Sequence, residues 1–187
     1  SAGRGEAADE AMEEAEVMEL TLHTIMDPED PVAQGARVFA DTLEELSGGT
    51  MVVEVFDSAQ LFPQGASRDA LARGQIDFEV MGLGFGFDDT IPYLSMFASA
   101  YIFTSVEHAE RFWSSPTGVE IFDEVARVEN IRPLNGMLFY GTRQLSLTDA
   151  VEQTVRTPED LEGVKIRMPN SPGWLAMGEA LGADPTP

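Results

Sequence analysis

The sequence contains no cysteine, so it can form neither a disulfide framework nor a thiolate metal site. Only two histidines occur, and they lack the helical or paired spacing of zinc ligands. No apolar run approaches the ~20 residues that a membrane-spanning helix needs. From these shortages we expect no metal and no cofactor.

Positive charge is also scarce. Eleven basic residues stand against 33 acidic ones, giving a net charge of −22. Such a surface repels DNA, RNA and anionic lipid, which excludes nucleic acid as a partner and a charge-driven membrane contact. Ten of the basic residues are arginine, and the acids are spread along the whole chain. This pattern is typical of a halophilic protein, with an ordinary acidic extracytoplasmic protein as the alternative.

The amino-terminal segment differs from the rest. Residues 1–17 are small and acidic with no sustained apolar face, which predicts a disordered tether. The segment has neither the charged nor the apolar region of a secretion signal. We therefore expect any such signal to have been removed or to lie outside this sequence.

From residue 18 onward, strand and helix patterns alternate. Predicted strands cover 17–26, 50–56, 76–81, 131–141 and 164–168, and predicted helices cover 31–47, 67–73, 106–128 and 171–181, with a capped helical turn at 157–160. The first strand–helix–strand–helix–strand order is that of a parallel sheet with crossover helices. The predicted fold class is α/β, with mostly parallel sheets and flanking helices.

The stretch GVKIRMPNSP, residues 163–172, contains the only lysine of the chain. Its alternation turns Val164, Ile166 and Met168 to one face and leaves Lys165 and Arg167 on the other. Arg167 lies near the end of its strand, four residues before the next helix begins at Ser171-Pro172. Ligands gather at such strand ends, and a guanidinium forms paired hydrogen bonds to a carboxylate. The alternative is a structural ion pair with one of the many acids.

An enzyme is not predicted. The stretch GLGFGFD, residues 82–88, follows a strand, but Phe87 occupies the place of the third glycine of a dinucleotide motif. Asp88, Asp89 and Pro92 follow instead of a helix. We find no nucleophile elbow and no paired metal motif, so the sequence offers no catalytic residue.

Several motifs occur together in a recognisable order. They are GTRQLS at 141–146, TPEDLEGVKIRMPNSP at 157–172, ALGADPTP at 180–187, LEELSGGTMVVEVFDSAQL at 43–61, DALARGQIDFEVM at 69–81 and SVEHAERFW at 105–113. With them the chain resembles the solute-binding subunits of TRAP transporters, the DctP type, over about residues 18–187. Members of that family continue past the last motif, so we expect a fragment or a truncated relative.

The resemblance implies a two-lobed, periplasmic-binding-protein-like fold that closes around an organic acid and delivers it to membrane permease subunits. The first lobe is expected to cover 18–142, and 143–187 to begin the second lobe and the hinge. The implied location is periplasmic or extracytoplasmic, at the cell surface, with membrane contact only through the permease or a removed anchor. An extracytoplasmic ligand-sensing module without a transport role is the alternative.

The resemblance also implies roles for particular residues. Arg167 matches the main carboxylate clamp of the family, and Arg143 matches a second arginine that lines the cleft near the hinge. An interlobe salt bridge is the alternative for Arg143. Asn170 matches a ligand-contacting asparagine of some relatives, or it forms the turn before the next helix.

Two further candidates belong to the predicted first lobe. Sialic-acid binders of the family have charged residues where this chain has Gly82 and Phe85, which makes sialic acid a doubtful ligand. Phe85 is then an apolar wall of the cleft, or a core residue. His23, late in the first strand, either reaches the cleft or is a buried histidine.

The halophilic interpretation predicts a salt response. The melting temperature should rise markedly in molar salt, because screening weakens repulsion among the surplus carboxylates. Thermal unfolding monitored by circular dichroism across a series of potassium chloride concentrations measures this. A flat response would contradict the interpretation.

Overall fold

The computed structural model describes residues 17–134, 139 and 141–187, without the side chain of Phe85. The α-helices are α1 Pro31–Leu46, α2 Arg68–Ala72, α3 Leu83–Gly86, α4 Val106–Trp113, α5 Pro116–Glu129 and α6 Pro172–Ala180; the strands are β1 Met18–His23, β2 Met51–Phe56, β3 Phe78–Glu79, β4 Lys165–Arg167 and β5 Asp184–Thr186; 3-10 helices cover Pro92–Ala98 and Pro158–Leu161. None of the helices in these described stretches is long and apolar enough to cross a membrane.

The chain divides into two compact units. In the described part, the first unit holds residues 17–67 and 74–80, and the second holds 68–73 and the described residues from 81 onward. This division does not follow the predicted lobe boundary between residues 142 and 143, and the two lobes stay a prediction.

The first unit contains a three-stranded parallel sheet in the order β2-β1-β3. Leu22 of the central strand is in register with Val55 of β2 and with Phe78 of β3. Phe39 of α1 meets Phe78 edge to face, with ring centroids 5.2 Å apart. The βαβαβ order predicted from the sequence is therefore confirmed, together with the parallel α/β fold class.

Helix α1 begins where its sequence predicts. The Asp30 carboxylate accepts a 2.8 Å hydrogen bond from the backbone N–H of Val32, and Pro31 occupies the first turn. The helix buries a row of small and branched side chains, Val32, Ala33, Ala36 and Ala40.

The single helix predicted over 106–128 is wrong, because the chain forms α4 and α5 there. Ser115 accepts a hydrogen bond from the N–H of Gly118 and so begins a new helix. Pro116 lacks the N–H that would continue α4. Both helices contribute to the main core of the second unit, whose buried residues are Phe87, Ile91, Leu94, Trp113, Ile121, Phe122, Val125 and Ile131.

The strand predicted over 131–141 is not seen in the residues that can be compared. Residues 131–134, 139 and 141 have no strand geometry, and 135–138 and 140 lie outside the described residues.

The carboxyl-terminal stretch forms a small parallel pair, β4 and β5, with α6 beside it. Ile166 is buried between exposed Lys165 and Arg167, as its alternation predicts. The flanking Val164 and Met168 are buried as well. The predicted capping box at Thr157 and Asp160 is present, on a 3-10 turn. The pairing strand β5 was not predicted, because Ala-Asp-Pro-Thr-Pro has little strand propensity.

The cap of α1 yields a stability prediction. Asp30→Ala should lower the free energy of unfolding by about 1 kcal/mol, because the N–H of Val32 loses its acceptor. Glu29→Ala is the matched control, since this neighbouring carboxylate is exposed and does not cap the helix. Urea unfolding of both variants measures the difference. Equal losses would show that net charge, and not the cap, sets the effect.

Candidate ligand-binding site

Arg167 is placed by the strand that precedes it. It ends β4, and buried Ile166 anchors the strand so that the Arg167 side chain is exposed. Across the strand pair, Lys165 is in register with the acidic Asp184, whereas Arg167 is in register with the neutral Thr186. The lysine therefore has an opposite charge on the next strand, and the arginine does not.

Most arginines of the described part are held by carboxylates. The ion pairs are Arg37–Asp57, Arg68–Asp89, Arg68–Glu129, Arg73–Asp69, Arg127–Glu124 and Arg132–Asp123. Within residues 17–134, 139 and 141–187, neither Arg167 nor Arg143 forms an ion pair. Arg111 and Arg156 form none there either, so four of the nine arginines in the described part lack a carboxylate partner.

Arg143 is held by an aromatic ring. Its guanidinium carbon lies 4.4 Å from the ring centroid of Trp174, in the first turn of α6. Trp174 is half-buried against the small core of Leu161, Val164, Ile166 and Met168. This cation–π contact restrains the guanidinium without occupying its N–H groups in an ion pair among the described residues.

Asn170 and Ser171 connect β4 to α6. Asn170 is exposed, and Ser171 occupies the N-cap position of α6 and is 2% exposed. The Ser171 hydroxyl makes no capping bond to α6; it donates instead to the Asp88 carboxylate at 2.6 Å. The first backbone N–H groups of the helix therefore have no side-chain acceptor from the cap.

The structure thus collects three of the five predicted site residues around the start of α6. Arg167 ends β4, and Asn170 lies on the connection that leads from β4 into this helix. Arg143 lies over the first turn of the helix. The side chain of Phe85, on α3, lies outside the described part.

His23 belongs to the first unit and is 0% exposed. Its ring meets Phe62 edge to face, with centroids 5.8 Å apart, and within the described residues neither ring nitrogen has a hydrogen-bond partner. Burial lowers the pKa of His23, with a smaller opposing contribution from the Phe62 backbone. His23 is therefore a neutral, buried side chain at the carboxyl end of β1.

The sequence did not single out Glu79, which is in register with His23 on the adjacent strand β3. The buried Ser67 hydroxyl donates to the Glu79 carboxylate, whose other oxygen has no partner among the described residues. Burial raises the pKa of Glu79, and the Ser67 bond opposes this in part. The signal that could have identified it is its place inside the predicted strand 76–81, between the apolar Phe78 and Val80.

Within the described ranges, no group of three or more His, Cys, Asp or Glu side chains is arranged to hold a metal ion. The groups at and next to the start of α6 are two guanidinium groups, an amide side chain and a helix N-terminus, each of a kind that can bind an anion.

Comparison with protein families identifies the chain. Residues 22–187 match the DctP family, the bacterial extracellular solute-binding proteins of family 7, and the chain belongs to this family. The membership places it among solute-binding proteins of transporters and not among enzymes, as its sequence predicts.

Two curated relatives illustrate the match. The sialic acid-binding periplasmic protein SiaP of Vibrio cholerae is 31% identical over 157 residues, which are 81% of this chain and 46% of the relative. A solute-binding protein of Roseobacter denitrificans is 27% identical over 173 residues, 92% of this chain and 51% of that protein. The chain therefore spans about half the length of the curated relatives it matches.

Solved structures agree on the fold. A TRAP periplasmic solute-binding protein of Roseobacter denitrificans with bound 3-deoxy-D-manno-oct-2-ulosonic acid (KDO) has a TM-score of 0.79 at 31% identity, covering 92% of this chain and 55% of that one. One from Actinobacillus succinogenes with bound L-galactonate has a TM-score of 0.80 at 27% identity, covering 91% and 54%. The predicted periplasmic-binding-protein-like fold is confirmed at this level.

The raised pKa of Glu79 predicts a pH effect. The folded protein binds the Glu79 proton more tightly than the unfolded chain, so this contribution to stability is lost as the pH rises through the folded-state pKa. Glu79→Gln keeps an acceptor for Ser67 and cannot ionise. The free energy of unfolding of the variant, relative to that of the parent, should therefore increase as the pH rises from about 4 to 8.

Urea unfolding at a series of pH values measures the gain. Glu19→Gln is the control, because it removes the same charge from an exposed site on the same sheet. If both variants follow the same pH dependence, general charge repulsion explains the result and the burial of Glu79 does not.

Proposed function

We propose that the protein is the extracytoplasmic solute-binding component of a TRAP transporter. It captures a small organic acid through an arginine–carboxylate clamp and delivers it to membrane permease subunits. The observation that carries this proposal is Arg167, an exposed guanidinium without an ion pair among the described residues, at the strand end that leads into α6.

The clamp rests on the geometry of one guanidinium. Arg167 ends a strand whose other side chains fix its direction, and a planar guanidinium donates two parallel hydrogen bonds to a carboxylate. Lysine offers a single point charge, which does not reproduce this pattern. The proposed ligand therefore carries at least one carboxylate.

The neighbouring groups support the same ligand. Arg143 adds a second positive charge, restrained by Trp174. The start of α6 adds a partial positive charge from its backbone N–H groups. Asn170 supplies both a donor and an acceptor, which suits hydroxyl groups beside a carboxylate.

The relatives suggest probes for this site. The two structures described above hold KDO and L-galactonate, each a carboxylic acid with several hydroxyl groups. A relative at 26% identity from Bacillus subtilis is a C4-dicarboxylate-binding protein. We therefore propose a hydroxylated monocarboxylic acid as the first ligand class to test, with succinate as the dicarboxylate comparison.

The remaining parts of the proposal concern delivery. Relatives such as SiaP are periplasmic proteins, and we propose the same location for this protein. Closure of two lobes, 18–142 and the one that begins at 143, around the acid would present it to the permease subunits.

Substitution of Arg167 tests the proposal. In the full-length protein that contains these residues, Arg167→Ala should weaken binding of the best ligand among KDO, L-galactonate and succinate by about 100-fold, roughly 3 kcal/mol, because the carboxylate loses its paired donors. Arg167→Lys should lose much of the affinity as well. Isothermal titration calorimetry measures both variants.

The control is Arg156→Ala, which removes another exposed arginine of the second unit that forms no ion pair among the described residues. It should leave the affinity unchanged. Unaltered binding by Arg167→Ala, or equal losses in both variants, would remove Arg167 from the site.

A further inference from the structure

One polar contact in the second unit joins residues that are far apart in the sequence. The Ser171 hydroxyl donates to the Asp88 carboxylate at 2.6 Å across 83 positions of the chain. Ser171 is 2% exposed, so water does not compete freely for this bond. The contact links the loop after α3 to the first residue before α6.

Close backbone packing reinforces the contact. A side chain at Gly173 would place its Cβ 3.1 Å from the Ser95 carbonyl oxygen, so the first turn of α6 lies directly against the 3-10 helix Pro92–Ala98. A Cβ at Gly84 of α3 would lie 2.8 Å from the backbone nitrogen of Ala98. Helix α3, which ends two residues before Asp88, and the start of α6 are thus packed on the same 3-10 helix.

Ser171 does not cap α6 with its side chain, because its hydroxyl is bonded to Asp88. A serine at the N-cap normally accepts a hydrogen bond from the helix backbone, which is worth about 1 kcal/mol. Here the hydroxyl makes no such bond and serves Asp88 instead. The hydroxyl therefore stabilises a tertiary contact and does not stabilise the end of the helix.

We propose that Asp88 is a positioning residue for the carboxylate site. Through Ser171 it holds the turn 168–171, which carries Asn170 and follows Arg167, in the orientation that the ligand requires. This inference rests on the proposed function. Asp88 and Ser171 both belong to the second compact unit, so the bond acts within that unit.

The negative charge of Asp88 allows a positioning effect to be distinguished from an electrostatic effect. A carboxylate beside an anion site repels an anionic ligand, so electrostatics alone predicts tighter binding when Asp88 is removed. Positioning predicts weaker binding. The sign of the change therefore separates the two effects.

The neighbouring Asp89 provides a matched control. Its carboxylate accepts a 2.6 Å hydrogen bond from Arg68 and, among the described residues, makes no hydrogen bond or ion pair with α6. Asp89→Ala removes the same charge from the same loop and leaves the Ser171 hydroxyl bound.

The experiment compares five variants in the full-length protein. With the best ligand among KDO, L-galactonate and succinate, Asp88→Ala and Ser171→Ala should each raise the dissociation constant about 5- to 10-fold, and the double variant should be no worse than either alone. Asp88→Asn keeps an acceptor for the hydroxyl and should bind at least as tightly as the parent. Asp89→Ala should bind as the parent does.

A ligand-free measurement accompanies the titrations. Hydrogen–deuterium exchange of the peptide covering residues 168–175 should speed up in Asp88→Ala and Ser171→Ala and stay unchanged in Asp88→Asn and Asp89→Ala. If the parent protein binds none of the three acids, the proposed function fails while the exchange data still test the anchoring.

The inference would be overturned by unchanged exchange in Asp88→Ala, by binding of Asp88→Ala as tight as that of the parent, or by additive losses in the double variant. An equal loss in Asp88→Asn would also contradict it, because that variant keeps the hydrogen bond.

Discussion

The central constraint on this protein is how few positive charges it has for its many negative ones. With 33 acidic and 11 basic residues, an arginine near the surface is surrounded by candidate partners. Five of the nine arginines in the described part are paired with carboxylates, whereas Arg111, Arg143, Arg156 and Arg167 are not. What distinguishes Arg167 and Arg143 is the structure that holds them, which is strand β4 for the first and the Trp174 ring of α6 for the second.

The direction of Arg167 follows from ordinary packing. Val164, Ile166 and Met168 are buried in one small core, so the alternate positions of the same strand must point outward. The register with β5 then places Asp184 opposite Lys165 and Thr186 opposite Arg167. The core thus fixes the position of the strand. The register places a carboxylate opposite Lys165 and none opposite Arg167.

Much of this arrangement could be predicted from the sequence, because it depends on local patterns. The alternation in Val-Lys-Ile-Arg-Met predicts the face of Arg167, and Ser171-Pro172 predicts the start of α6. Long-range contacts could not be predicted in this way. Nothing near Asp88 indicates a partner 83 positions away, and the loop that carries Arg143 has no periodicity to indicate Trp174.

Two local signals conflict at the junction between α4 and α5. The apolar spacing that runs from α4 into α5 favoured one helix, while Ser114-Ser115-Pro116 signalled a new start. The structure follows the serine and proline, because a cap and a missing N–H act on the backbone itself. In the first unit, burial lowers the pKa of His23 and raises the pKa of Glu79, which is in register with it on β3. These shifts follow from tertiary burial, which the local sequence pattern does not specify.

The surplus of negative charge bears on ligand capture as well as on folding. An anionic ligand approaching a surface of net charge −22 is repelled at long range, and the repulsion falls off over about 10 Å in 0.1 M salt but about 3 Å in 1 M salt. Hydrogen bonds from a guanidinium act only at contact and are screened far less. A saline medium therefore removes most of the long-range opposition and leaves the short-range attraction, which makes an arginine clamp a workable way for an acidic protein to bind an acid.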